Sequence, residues 1–329
     1  MKIRFIVNPV AGIHKKTVSK ISHTLMLKEE QKISDKIQNF FKDKNLKFQI
    51  EVTGEKNDAS LFAKKARKGD IVVAVGGDGT INEILNAIKP GIKLAIIPTG
   101  SENVIAQEFN IPINFKKACR IIINQKVKKL DLGSINNHKF LFVAGIGLDA
   151  HAITLVKPFF KQLIGKHSYA LAAIKSILTY DHPKIIIKTK NKTFNGYFLL
   201  ISNVPHYGAK LEFTPDAKPD DGYLHLCLFK KKDVFNTFKA LVSAKAGIIK
   251  LLPDIELIKI KEANITSEEK VLFHTDAEIK GTTPVKIKVL KKELELIVPK
   301  KKKKIISHTI MLKNKIIKTI SKKLPRSKS

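Results

Sequence analysis

Five consecutive apolar residues, Ile71-Val72-Val73-Ala74-Val75, run without a polar break into Gly76-Gly77-Asp78-Gly79-Thr80. A segment with Ile81, Ile84, Leu85 and Ile88 at helical spacing follows. A strand with no polar face is buried on both sides, which is the situation in a parallel sheet covered by helices. The same strand-to-helix rhythm surrounds it. Ile3–Val7 reads as a strand closed by Asn8-Pro9, and 28–43 as a helix carrying Ile33, Ile37, Phe40 and Phe41. A strand at 48–53, a helix at 58–67, a strand at 93–97 stopped by Pro98 and a helix from about Asn103 complete the series. Strands alternating with helices predict a parallel sheet covered on both faces.

Near residue 126 the pattern changes to recurrent strands, at 127–133, 139–143, 184–189, 196–202, 223–229, 256–260, 271–275, 285–290 and 294–298. Helices persist mainly at 168–179 and 233–248. The expected organisation is therefore an α/β domain over 1–126 and a mostly antiparallel β domain over 127–298, whose last strand can return to the first domain. From Pro299 to Ser329 the chain carries 12 Lys and Arg and no Asp or Glu, beginning with Lys300 to Lys304. On a helical wheel Ile305, Ile306, Ile310, Ile316, Ile317, Ile320 and Leu324 fall on one face, with Lys313 intruding. A solvated tail and an amphipathic helix lying on anionic lipid are both open for it. The segment Ile21–Lys28 nearly repeats as Ile306–Lys313, with no physical account.

At 329 residues there is room for two ordinary domains. Lys and Arg number 61 against 29 Asp and Glu, a net charge of +32 that attracts polyanions of several kinds. Cys119 and Cys227 are too few for a disulfide framework and suit a reducing compartment. No apolar run approaches the roughly 20 residues of a membrane span, and the apolar stretch at the N-terminus is too short for a signal peptide. A cytoplasmic protein that meets membranes peripherally is expected.

Three loops follow apolar strands: Asn8-Pro9-Val10-Ala11-Gly12, Gly76 to Thr80, and Pro98-Thr99-Gly100-Ser101-Glu102-Asn103. Glycine lets backbone N–H groups point outward and lets a phosphate approach, and the start of the next helix attracts anions. Loops at the carboxyl ends of parallel strands share one crevice. Asp78 suits a magnesium-linked or loop-bracing role. Any one loop alone could be an ordinary turn.

In order and spacing, Asn8-Pro9-x-x-Gly12, Gly76-Gly77-Asp78-Gly79-Thr80-x-Asn82-Glu83 and Gly100-Ser101-x-Asn103 resemble the diacylglycerol kinase catalytic domain family. That family includes bacterial diacylglycerol kinases, YegS-like lipid kinases, and sphingosine and ceramide kinases. The glycine segment alone is shared with NAD kinases; Asn82-Glu83 and Asn8-Pro9 favour the lipid branch. The resemblance runs over most of 1–298 and implies a Rossmann-like parallel-sheet domain followed by an antiparallel β-sandwich domain. It implies ATP binding through Asn8, Pro9, Val10, Ala11 and Gly12, and through Gly76, Gly77, Asp78, Gly79, Thr80, Ile81, Asn82 and Glu83. Thr53 and Ser101 match further nucleotide contacts. Lys218-Pro219-Asp220-Asp221-Gly222-Tyr223 looks like a family segment that holds magnesium at positions matching Lys218, Asp221 and Tyr223. Asp276-Ala277-Glu278 aligns with the family's Asp-Gly-Glu, so Asp276 or Glu278 is expected to be the catalytic base. Strand alternation would put both carboxylates on one side. Ala277 departs from the usual Gly.

Other signals are weaker. Gly145-Ile146-Gly147-Leu148-Asp149-Ala150 matches a dinucleotide fingerprint but lacks the later acidic residue on a second strand. No P-loop motif exists in the chain. His151, His167, His206 and His274 are scattered and read as satisfied or solvated rather than as zinc ligands. The expectation is an ATP- and Mg²⁺-dependent kinase that phosphorylates a lipid hydroxyl, most simply diacylglycerol, at an anionic membrane surface. A sphingoid-base or ceramide kinase, an NAD kinase, and a basic nucleic-acid-binding protein on an inactive kinase scaffold are the alternatives. The tail has no Phe or Tyr to stack on bases, so no specific nucleic acid is expected. A homodimer is allowed but not specified.

Overall fold

The computed structural model describes residues 1–12, 23–155, 172, 175–207 and 211–300. The near-repeated segments, His167 and the basic tail fall largely or wholly outside these residues. Residues 1–298 form one compact unit. Its first strands are β1 (Ile3–Val7), β2 (Phe48–Val52), β3 (Ile71–Gly76) and β4 (Lys93–Pro98), all parallel, in the order β2-β1-β3-β4. The helices are α1 (His23–Phe41), α2 (Asp58–Lys64), α3 (Asp78–Ala87), α4 (Val104–Glu108) and α5 (Phe115–Asn124).

The continuous apolar run in β3 is explained by two cores. Ile71, Val73 and Val75 join Phe5, Ile37, Phe41 and Ile122 on one side of the sheet. Val72 and Ala74 join Ile6, Ala63, Ile84 and Leu85 on the other. Each face buries a helix layer, so alternation with polar residues would leave polar groups in a core.

The second part contains β5 (Val127–Ile135), β6 (His138–Phe140), β7 (Val143–Ile146), α6 (Leu148–Leu155), β8 (Ile185–Lys188), β9 (Thr193–Gly196) and β10 (Phe198–Ser202). Then come the short pair β11 (His206–Tyr207) and β12 (Leu211–Glu212), followed by β13 (Leu224–Phe229), α7 (Val234–Ala246) and β14 (Ile255–Ile260). The chain closes with β15 (Glu262–Ser267), β16 (Leu272–Thr275), β17 (Glu278–Thr282) and β18 (Val285–Ile297). A six-stranded sheet, β14-β13-β10-β7-β16-β17, packs over a core that includes Ile146, Leu199, Leu226 and Phe273. Ile187, Ile265 and Ile287 enter that core from the other sheet.

That other sheet is continuous with the first. β18 pairs antiparallel with β15 at one end and parallel with β4 at the other, giving ten strands in all. The sequence separates 285–290 from 294–298; the structure joins them through an irregularity between Leu290 and Leu294. Lys292 sits there at φ 51, and its backbone N–H is held by Asp131 Oδ1 at 2.8 Å. β15 and β17 carry too many polar residues to stand out as strands in the sequence; their pairing partners decide them.

Candidate active site

The carboxyl ends of β1, β3 and β4 bring the three loops together. Asn8 donates from Nδ2 to Thr80 Oγ1 at 3.1 Å, tying the first loop to the second. Its Oδ1 accepts from the Val10 backbone N–H at 3.2 Å. Thr53 is fixed beside them, donating from its backbone N–H and hydroxyl to the Val7 carbonyl at 2.9 and 3.3 Å. Gly12 lies against the third loop so closely that a Cβ there would meet the Thr99 carbonyl oxygen at 2.2 Å. Gly77 and Gly100 pack backbone to backbone, since a Cβ on Gly100 would lie 2.5 Å from Gly77 Cα. These glycines are therefore demanded by loop-on-loop contact.

The N-terminus of α3 has no side-chain cap, and its N-cap residue is Gly77. A Cβ at Gly79 would meet nothing within 4 Å, so the first turn presents bare backbone. Donors at a helix start that are left unsatisfied by side chains suit an anion. Thr80, Ile81 and Asn82 are buried, Ile81 with its side chain in the helix-layer core, so any ligand contact by Ile81 goes through its backbone. Ser101 and Glu102 are exposed on the third loop.

Asp78 points away from the first turn of α3. Its two carboxylate oxygens accept from Val104 N–H and Ile105 N–H, each at 3.0 Å. Of the two roles open to Asp78, the geometry is that of loop bracing. Asn103, at φ 51 and buried, completes the brace by accepting from Gly100 N–H at 2.9 Å. Gly100-Ser101-x-Asn103 carried that signal in the sequence.

Glu278 arrives from the other sheet. Asn82 Nδ2 donates to its carboxylate at 3.2 Å, and Lys280 Nζ sits 2.7 Å from the same oxygen. Glu83 is near enough for repulsion: burial first, and then the charge of Glu278, raise its carboxyl above the ordinary value. One carboxylate from the second sheet, Glu278, thus faces the helix that follows the glycine loop.

Asp276 and Glu278 are not alternate residues of one strand. Asp276 (φ 45) and Ala277 (φ 66) form the two-residue turn between β16 and β17, with Thr275 paired to Glu278. Two successive positive φ values define the tight hairpin turn whose twist matches its strands. The Asp276 carboxylate accepts from Leu141, Phe142 and Val143 N–H groups at 2.9, 3.0 and 3.0 Å. Desolvation raises its carboxyl despite those three donors. With both oxygens occupied, Asp276 is a brace for the turn, and Glu278 is the carboxylate left facing the loops.

The same turn is held from behind. His274, fully buried, lies with Nε2 2.6 Å from Asp149 Oδ2, and its Nδ1 accepts from Ala277 N–H at 3.3 Å. Nδ1 as acceptor puts the proton on Nε2. Tyr207 donates its hydroxyl to Asp149 at 3.0 Å. This explains the apparent dinucleotide fingerprint. Gly145 lies in an antiparallel sheet, and a Cβ on it would collide with His274 Nε2 and Asp149 Oδ2. The glycine makes room for a histidine hydrogen-bonded to a carboxylate rather than for a pyrophosphate. No single-sequence signal pairs Asp149 with His274 across 125 positions.

The Lys218–Tyr223 turn is pinned elsewhere. Asp131, buried in β5, accepts from Gly222 N–H at 2.6 Å. Asp221 Oδ1 accepts from Tyr223 N–H at 3.0 Å, and Oδ2 lies 3.0 Å from both His225 Nε2 and Lys259 Nζ. Lys259 Nζ also stands 4.2 Å from the centre of the Tyr223 ring. An ammonium already neutralises this carboxylate, and the described residues hold no cluster of three acidic, His or Cys ligands. A magnesium held by Asp221 together with backbone oxygens of Lys218 and Tyr223 would have to take the place of Lys259 or His225 at this carboxylate. Lys259, 38 positions beyond Asp221, is a partner of that carboxylate that no local motif includes.

Comparison with known proteins shows the family and the fold. The family model for the diacylglycerol kinase catalytic domain matches residues 2–135, and that for the YegS C-terminal NAD kinase beta sandwich-like domain matches 143–298. A diacylglycerol kinase of Staphylococcus haemolyticus is 30% identical over 257 residues, covering 75% of this chain and 77% of its own length. One from Bacillus subtilis is 28% identical over 255 residues, covering 74% and 84%. A crystal structure of a diacylglycerol kinase from Bacillus anthracis shares the fold with a TM-score of 0.63 at 23% identity, over 91% of this chain and 97% of that one.

Proposed function

This chain belongs to the diacylglycerol kinase family, and we propose that it transfers the γ-phosphoryl group of MgATP to the hydroxyl of a membrane lipid, diacylglycerol being the first acceptor to test. The single observation that carries the reading is the meeting of Glu278 with Asn82. A carboxylate from one sheet stands beside the helix whose first turn offers phosphate-binding N–H groups.

The triphosphate rests on the backbone of Gly76 to Thr80, with the Asn8 to Gly12 loop and Ser101 closing over the nucleotide and Thr53 at its edge. A magnesium ion bound to the nucleotide would neutralise phosphate charge there. The acceptor oxygen attacks the γ-phosphorus, the bond to the β-phosphate bridging oxygen breaks, and the hydroxyl proton passes to Glu278. Asn82 and Lys280 orient that carboxylate, and Lys280 supplies positive charge beside the transferring group.

The reading is tested by incubating the full chain with radiolabelled ATP, magnesium and separate micellar preparations of diacylglycerol, a sphingoid base, ceramide and a polyprenol, with NAD as a control. Label in one lipid and none in NAD is expected. Label in NAD alone, or in no acceptor at all, would overturn it.

A further inference from the structure

Helix α7 is built the opposite way round from a core helix. Its inward residues are small: Thr237, Ala240, Ser243 and Ala244 are buried. Ala240 and Ala244 pack with Val143, Leu200, Cys227 and Phe229 on the outer face of the six-stranded sheet. Its large residues point outward, with Phe235 74%, Phe238 62% and Val242 53% exposed. Spacing of three and four places them on one face. Val234, Ile248 and Leu251 are exposed as well. Folding alone would favour the reverse arrangement, and an apolar surface of this kind marks an interaction site.

Charge selects the partner. From Lys230 to Leu251 the chain has six lysines, all exposed, and one carboxylate, Asp233. Asp233 is committed to the helix start, accepting from Asn236 N–H at 2.7 Å. Lys231 and Lys250 form ion pairs with Asp254 and Asp216, at 3.2 and 2.7 Å. A second copy of the chain would set the same lysines against one another on a molecule of net charge +32. An anionic bilayer satisfies both features at once: phenylalanines enter the headgroup and acyl boundary while ammonium groups remain at the phosphates.

We infer that α7 seats this protein on anionic lipid bilayers, with Phe235, Phe238 and Val242 as the inserted side chains. The inference gives the lipid-kinase reading a route to an acceptor that stays in its membrane, and it rests on that reading for its purpose but not for its test. The chain contains no tryptophan, so Phe238→Trp makes the helix its own reporter. Its emission shifts to the blue on phosphatidylglycerol–phosphatidylcholine vesicles and stays put on phosphatidylcholine alone. In the full chain, Phe235→Ser with Phe238→Ser lowers co-sedimentation with the anionic vesicles on the order of tenfold or more. Phosphorylation of a water-dispersed short-chain diacylglycerol is unchanged in that variant. Undiminished sedimentation of the double variant, or unshifted emission on vesicles that carry the protein down, would overturn the inference. So would a wild-type dimer that the double variant splits while vesicle binding persists, which would make the face an interface between copies. Absence of lipid phosphorylation with vesicle binding intact would instead strike the kinase reading alone.

Discussion

Asp276, Ala277 and Glu278 show how three adjacent residues acquire three different jobs. Asp276 spends its oxygens on three backbone N–H groups, so Asp276→Asn turns an acceptor into a donor facing a donor. That change is expected to cost about 1–3 kcal/mol of stability, read as a lower denaturation midpoint. Glu278→Gln keeps shape and loses the proton acceptor. Its turnover is expected to fall on the order of a hundredfold or more, with the denaturation midpoint unchanged. The opposite assignment, with Asp276 as base, predicts the reverse pairing of effects. Ala277 occupies a left-handed position at φ 66. An L side chain there costs roughly 1–2 kcal/mol, partly offset by the extra unfolded-state freedom of glycine. Ala277→Gly is therefore expected to raise stability by several tenths to about 1 kcal/mol in urea titrations.

Among the secondary-structure elements, the short helix α4 depends most on a distant residue. It has five residues, no side-chain cap from its own N-cap Asn103, and two N–H groups held by Asp78. A helix this short does not persist by propensity. Asp78→Ala is expected to free the amides of Val104 and Ile105, seen as faster hydrogen exchange over 100–108, and to raise the KM for ATP while the rest of the fold keeps its protection. Uniform exchange across the protein in the variant would show instead that Asp78 holds the whole fold. β18 is the counterpart on the other side of the site. Its bulge at Lys292, fixed by Asp131, lets one strand pair with β15 and then with β4. β15 and the glycine-loop strands are thereby parts of one continuous hydrogen-bonded sheet, which the Glu278 hairpin of the six-stranded sheet meets through Asn82.

For the molecule as a whole, charge and apolar exposure act together. A net charge of +32 draws the protein to any polyanion, and such attraction is screened by salt. Apolar insertion is not screened in the same way, which separates the two contributions. Removing residues 300–329 is expected to weaken sedimentation with anionic vesicles at low salt, and to matter much less at high salt, where the exposed phenylalanines of α7 remain. Equal binding by full and truncated protein at low salt would exclude a membrane role for the tail. No helix among the described residues is long and apolar enough to cross a membrane.

Local chemistry wrote much of this protein legibly. The apolar run 71–75 requires burial on two faces, glycines mark where loops touch, and the order of the three loop motifs brings them together at strand ends. These depend on neighbours within a few residues, and so survive in a linear reading. Long-range pairing was invisible there: Lys259 reaching Asp221, Asp149 reaching His274, Asp131 gathering Gly222 and Lys292, and the hairpin turn that separates Asp276 from Glu278. A carboxylate's role is set by which donors or cations reach its oxygens, and those arrive from strands that only folding brings alongside.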